Sequence, residues 1–227
     1  MQKMKLLLIL MVLSALGAGC SSGLDASAYR SQEPFEYYVY FPVDYKPDVN
    51  WLLFIGVHGE DETGEDCFQR WQPLADDYSF VLLCPTLEVA NGQLVYGDSE
   101  QRIAAVLRNL YSSYPFQQQF FIAGLSAGGE FALQYAFRYP SAMSGVAALS
   151  AEQYPSAAAS VSELPILILV GQQDQPAVDG AQLFEESLQR QNLPVRVIIL
   201  DGEDEELSSD ASRLTVEFAL QASRIIP

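Results

Sequence analysis

Short apolar runs alternate along this 227-residue chain with longer stretches in which apolar residues return every three or four positions. The runs are Tyr37 to Phe41, Trp51 to Val57, Phe80 to Cys84, Phe120 to Ala123, Val146 to Leu149, Ile166 to Val170 and Val195 to Leu200. Apolar character on successive residues over so short a span is the pattern of a strand buried on both faces. Helical patterns lie between them. Ile103, Val106, Leu107, Leu110 and Tyr111 fall on one face, and Asp98 with Gln101 three residues on has the form of a capping box. Phe68, Trp71 and Leu74 read as the inner face of a helix between the second and third runs, with no role beyond packing, and Leu207, Ala211, Leu214 and Phe218 as that of the last helix. Strands and helices in alternation predict an α/β fold, a mostly parallel sheet covered by helices on both faces. With 49% hydrophobic residues and no repeat or low-complexity tract, the chain can bury one large core.

The first residues follow another pattern. Lys3 and Lys5 precede an apolar run from Leu6 to Leu16, shorter than the roughly 20 residues that span a bilayer, and small residues and Cys20 follow. This reads as an export signal over residues 1–19. Leu16-Gly17-Ala18-Gly19-Cys20 resembles a bacterial lipoprotein signal, in which Cys20 carries the lipid, although Gly17 stands where a larger aliphatic residue is usual; ordinary secretion is the alternative. Residues 20–34, polar and poor in large apolar side chains, then form a tether, and residues 35–227 the folded domain. The expected location is outside the cytoplasm, on a bacterial membrane, periplasmic or at the cell surface.

Charge narrows the partners. The chain has 12 basic and 29 acidic residues, and removing the leader takes two lysines and no acid, which moves the net charge from −17 to −19. A protein that binds nucleic acid neutralises phosphates with Lys and Arg, so this balance excludes that class. It equally disfavours a peripheral hold on anionic lipid and leaves the lipid chain as the tether. Once Cys20 is lipidated, Cys67 and Cys84 remain as an even pair in a compartment that permits oxidation; a disulfide and two buried thiols are both open.

The chemistry concentrates at Gly124-Leu125-Ser126-Ala127-Gly128-Gly129, which follows an apolar run and spells the nucleophile elbow G-x-S-x-G. In such an elbow a strand turns sharply into a helix, and glycines two before and two after the serine allow a backbone approach that a side chain would block. A serine nucleophile needs a base, and the chain has one histidine, His58.

Four landmarks come in a telling order: Val57-His58-Gly59 at the end of a strand, the elbow, Gly171-Gln172-Gln173-Asp174 after an apolar strand, and Asp201-Gly202 after the last strand. This order resembles the α/β-hydrolase fold, and most closely its compact esterases, the dienelactone-hydrolase and polyhydroxyalkanoate-depolymerase-like group. The resemblance implies Ser126 as nucleophile, Asp174 as triad acid, and an oxyanion hole made by the N–H of Ala127 and that of Glu60, in a loop braced by His58 and Gly59. It implies a small-molecule ester as ligand and neither cofactor nor metal. His58 precedes the serine, whereas the triad order in this fold is serine, acid, histidine. By register Glu205 occupies the place of the base, and a carboxylate near pKa 4.3 is a much poorer base at pH 7 than an imidazole near 6.5. Crowding of Glu60, Asp61, Glu62, Glu65 and Asp66 with the acidic run from Asp201 to Glu206 would raise carboxyl pKa values and favour such a base. Three functions follow. One is a serine carboxylesterase weak at neutral pH; the second is a hydrolase-like domain that has lost its chemistry and binds a ligand; the third is an acidic face for calcium or a cationic ligand. No insertion long enough for a lid separates Leu149 from Ile166, so the pocket is expected to be open, with Tyr154 as a wall.

Overall fold

The computed structural model describes residues 28–156, 161–204 and 208–225. All seven apolar runs are strands: β2 (Tyr37–Tyr40), β3 (Leu53–Val57), β4 (Val81–Pro85), β7 (Phe120–Leu125), β8 (Met143–Leu149), β9 (Ile166–Gly171) and β10 (Arg196–Leu200). With β1 (Ala28–Ser31) they form an eight-stranded sheet in the order β1-β2-β4-β3-β7-β8-β9-β10. The six strands from β4 to β10 in that order run parallel, while β2 lies antiparallel to β4 and β1 antiparallel to β2.

Alternate residues of each run face opposite layers, as the pleat requires. Leu53 and Ile55 of β3, Ile122 of β7 and Ile166 and Ile168 of β9 join the core under α2 (Tyr96–Ser113), α3 (Ala127–Arg138) and α4 (Gln175–Arg190). Phe54, Phe121, Leu167 and Leu169 join the core under α1 (Gly64–Tyr78) and α5 (Ser209–Ile225), where Phe54 meets Trp71 at 4.8 Å between ring centres. Burial on both faces is why the runs read as continuously apolar. Trp71 is buried in α1, with Phe68 and Leu74 half-buried beside it, and Ala211, Leu214 and Phe218 of α5 face the same core; Leu207 lies outside the described residues.

Three expectations need revision. The helix expected to be capped by Asp98 begins a turn earlier, at Tyr96, with Val95 as N-cap and no side-chain cap; Tyr96 packs on Phe131, and that contact starts the helix before the box can act. The box is found instead on α1, where Thr63 and Asp66 cap each other. The tether expected over 20–34 is not polar linker throughout, because Ala28–Ser31 pairs with Tyr37–Tyr40 along the sheet edge. The third is a missed element: β5 (Val89–Ala90) and β6 (Gln93–Leu94) form a small hairpin whose turn residues Asn91 and Gly92 both have positive φ. Asn-Gly is the dipeptide such a turn favours.

Cys67 and Cys84 are joined in a disulfide, Cα atoms 5.9 Å apart, fully buried between α1 and β4.

Candidate active site

The chain leaves β3 for β4 on one side and returns to β7 on the other, so the crevice beyond the carboxyl ends of β3 and β7 is the switch point of the sheet. Open parallel sheets bind their ligands at that place. His58 to Glu62 leave β3 there, and Ser126 leaves β7.

Ser126 is the N-cap of α3, with φ 50° and ψ −122°. A serine held at positive φ is strained, and the surroundings enforce it. A Cβ on Gly124 would lie 2.1 Å from the Gly128 oxygen, and one on Gly128 would lie 2.4 Å from the His58 oxygen, so neither position accepts a side chain. The Ser126 N–H donates to the Leu149 oxygen at 2.8 Å, and its carbonyl accepts from Gly129 at 2.8 Å, which fixes the turn from both sides. The hydroxyl has no hydrogen-bond partner among the described residues. It opens on a cavity of about 230 Å³ walled by Glu60, Ala127, Glu130, Glu152, Gln153 and the Asn91-Gly92 hairpin tip. A second hollow of about 360 Å³ shares Gln93, Ala127, Glu130 and Gln153 with it and is closed by Tyr96, Phe131 and Tyr154.

His58 is fully buried. Its Nδ1 faces the Gly59 oxygen at 2.7 Å and its Nε2 accepts the Leu87 N–H at 2.9 Å. With Nε2 an acceptor, Nδ1 must carry the proton, so the ring is neutral and both nitrogens are engaged. Burial pushes its pKa down. The ring ties the loop after β3 to the loop after β4. Gly59 is held in turn by its N–H, which donates to Glu62 Oε2 at 2.9 Å, while Arg70 pairs with the same carboxylate.

The acidic loop is therefore not a set of crowded free carboxylates. Glu62 is held below the usual carboxylate range although its burial opposes this, because Arg70 and the Gly59 N–H favour the ion. Asp66 is held low by the Thr63 hydroxyl and N–H. An upward shift is found at Glu130 on the first turn of α3. Burial raises that carboxyl most, Glu152 and Glu60 add to the effect, and one oxygen accepts the Gln153 N–H at 3.0 Å. Glu130 was missed in the sequence because its environment comes from the loop after β8, 20 residues further on; the signal was only its place four residues after Ser126, on the same helix face.

Glu60 reaches the site in an unexpected way. Its carboxylate accepts the N–H of Ala127 at 3.4 Å. Asp174 follows β9, caps α4 by accepting the Ala177 N–H at 3.2 Å, and is not among the residues that wall the Ser126 cavity. Its neighbour Gln173 holds the last loop, with N–H to the Glu203 oxygen at 2.8 Å and side chain to the Gly202 oxygen at 3.2 Å. Glu205 and Cys20 lie outside the described residues. Tyr154 is wall and packing at once: it stacks on Phe184 at 4.6 Å and donates to the Ala151 oxygen at 2.8 Å. Among the described residues no group of three or more His, Cys, Asp or Glu side chains is placed to hold a metal ion.

A parallel sheet with an antiparallel edge, helices on both faces and a serine on the turn after the central strand define an α/β-hydrolase fold. The family model "Esterase" (putative esterase) matches residues 100–225, and the chain belongs to that family. Solved structures agree on the fold. The serine hydrolase FphF of Staphylococcus aureus, described as fluorophosphonate-binding, superposes with TM-score 0.68 at 19% identity, covering 86% of this chain and 97% of its own. A CE1 ferulic acid esterase of the anaerobic fungus Anaeromyces mucronatus gives 0.67 at 14% identity, covering 88% and 90%. An S-formylglutathione hydrolase of Staphylococcus aureus gives 0.63 at 16% identity, covering 87% and 95%. No curated protein matches the chain in sequence.

Proposed function

We propose that the protein is an exported, lipid-tethered serine carboxylesterase, slow at neutral pH, in which Ser126 attacks the carbonyl of a small ester. The serine hydroxyl adds to the carbonyl carbon and its proton passes to a carboxylate base. The Ala127 N–H stabilises the oxyanion, together with the Glu60 N–H, which has no acceptor among the described residues. The alcohol leaves with that proton, and water then cleaves the acyl-serine. Glu205 stands in sequence where the base belongs, and Asp174 at the end of β9 serves as the acid that orients it. The backbone of Ser126 carries this reading: a non-glycine residue held at φ 50° at the mouth of a cavity presents its hydroxyl to a substrate. The polar walls of the neighbouring hollow, Gln93, Gln134, Gln153, Tyr96 and Tyr154, suit an ester with hydrogen-bonding substituents. Neighbours described as ferulic acid esterases lend support to a phenolic acyl group. The finer likeness to dienelactone hydrolases rests on the order of landmarks alone. The Cys67–Cys84 disulfide is consistent with export, and Cys20 supplies the anchor.

Labelling by a fluorophosphonate tests the nucleophile. The wild type is expected to react and Ser126→Ala to lose labelling completely, with an unchanged melting temperature. A wild type that stays unlabelled would favour a second reading, a ligand-binding domain without chemistry. The absence of an imidazole at the base position and the Glu60 carboxylate on the Ala127 amide are the observations in its favour.

A further inference from the structure

We infer that the Glu60 carboxylate is an internal plug of the oxyanion hole, which a substrate carbonyl must displace before Ser126 can react. This rests on the esterase reading. The Ala127 N–H is the amide next to the nucleophile and the first of α3, where unpaired amides and the helix dipole favour an anion. In the structure that amide already has an acceptor, one oxygen of Glu60 at 3.4 Å. A carboxylate oxygen on this N–H competes with an ester carbonyl oxygen for it, because a shared donor leaves each acceptor a weaker bond than it would have alone. The plug mimics the carboxylate product of ester hydrolysis, which would occupy the same amide.

The surrounding loop makes the plug a side-chain device. The turn that carries Glu60 is fixed: His58 is clamped by Gly59 and Leu87, Gly59 by the Glu62–Arg70 pair, and the Glu62 N–H donates to the Gly59 oxygen at 3.3 Å. The Glu60 side chain is half-buried, lines the Ser126 cavity, and has the Ala127 N–H as its one hydrogen-bond partner among the described residues. It can rotate out while the loop, with the second oxyanion donor on it, stays in place. Nearby Glu130 and Glu152 repel it, and the amide holds it in. The device therefore lowers the reactivity of Ser126 toward every carbonyl or phosphonyl electrophile equally, whatever its substituents.

Glu60→Ala tests this with two readouts. The second-order rate of fluorophosphonate labelling should rise roughly tenfold, which is about 1.4 kcal/mol. The rise should persist at 1 M salt, where the Debye length falls to about 3 Å and a mere loss of repulsion would be screened. The Ala127 amide proton, assigned in a ¹⁵N–¹H spectrum, should move upfield in the variant as its carboxylate partner is lost. An Ala127 resonance that does not move overturns the plug regardless of any chemistry. A wild type and a Glu60→Ala variant that label at equal rates overturn it while leaving the esterase reading intact. A variant and a wild type that both fail to label overturn the esterase reading, and with it a plug that guards nothing. Labelling that appears only in Glu60→Ala supports both.

Discussion

The two halves of the crevice are built by different rules. On the side of β3 and β7, everything the chemistry wants is also wanted by packing. Gly124 and Gly128 are required because a Cβ would collide with backbone, and His58 because two buried backbone groups need its ring. On the side of β9 and β10, the proposed acid Asp174 has a local task as a helix cap, and the proposed base Glu205 belongs in sequence to a run of acids. The elbow and its loop would persist in a protein that had given up catalysis, because removing them costs stability. An imidazole has no such protection. The glycine signature alone is thus weak proof of an enzyme; the informative tests are those made at Ser126 and at the proposed base position, Glu205.

The largest expected effect restores what the second half lacks. Glu205→His places a base of suitable pKa at the position the esterase resemblance assigns to it, and a well-placed general base contributes about 10²–10⁴-fold. Hydrolysis of a short activated ester at pH 7 should rise on the order of 10²-fold and vanish in the double variant with Ser126→Ala. A Glu205→His protein no faster than wild type would show that residue 205 is not held where Ser126 needs a base.

The next effect tests the claim that the first half is structural. His58→Ala would leave the Leu87 N–H without its acceptor and the Gly59 oxygen without its donor in a fully buried place. An unsatisfied buried group costs about 1–3 kcal/mol, so the loss should be about 3 kcal/mol in denaturant unfolding. The pH dependence supplies a second check. Because burial pushes the His58 pKa below its ordinary 6.5, the unfolded chain takes up a proton before the folded one does. The stability that the neutral ring provides is complete above pH 6.5 and falls as the pH drops through that value toward the folded pKa. His58→Ala should lack this fall. A variant as stable as wild type, with the same acid response, would mean that the ring is held for chemistry instead.

How much of this was legible follows the same division. The seven central strands could be read because burial on both faces leaves an unbroken apolar mark, and the elbow because its glycines are sterically compelled. β1 was hidden, since in Ala-Tyr-Arg-Ser at the sheet edge both Tyr29 and Arg30, on opposite faces, are exposed and the stretch reads as linker. The hairpin tip was present as Asn91-Gly92 but lay between runs too short to register. The start of α2 escaped because a tertiary contact, Tyr96 on Phe131, overrode the local capping signal. At the site, residue types gave the serine of the elbow but not what each carboxylate does. Glu62, Asp66, Glu60 and Glu130 are alike in sequence, and only their partners, Arg70, Thr63, Ala127 and Gln153, separate an ion pair, a helix cap, an acceptor for the amide after Ser126 and a buried acid.

The smallest effect concerns that buried acid, and it sharpens the comparison because Glu130 sits between the two halves. Burial raises its pKa most, with Glu152 and Glu60 assisting, so the folded protein keeps a proton that the unfolded chain releases near 4.5. Stability therefore falls as the pH rises from about 4.5 toward the folded value, and the cost is complete once the pH lies above that value. Glu130→Gln removes the charge and keeps a carbonyl oxygen for the Gln153 N–H, which the carboxylate now accepts at 3.0 Å. The variant should melt higher than wild type at pH 7, and the difference should shrink as both are taken toward pH 4. A protein that tolerates an ionisable group at a stability cost, beside a serine held in strain, tolerates it for the site. If Glu130→Gln instead melts lower at pH 7, the charge-assisted bond to the loop after β8 outweighs the burial, and Glu130 belongs with His58 among the residues that packing alone would keep.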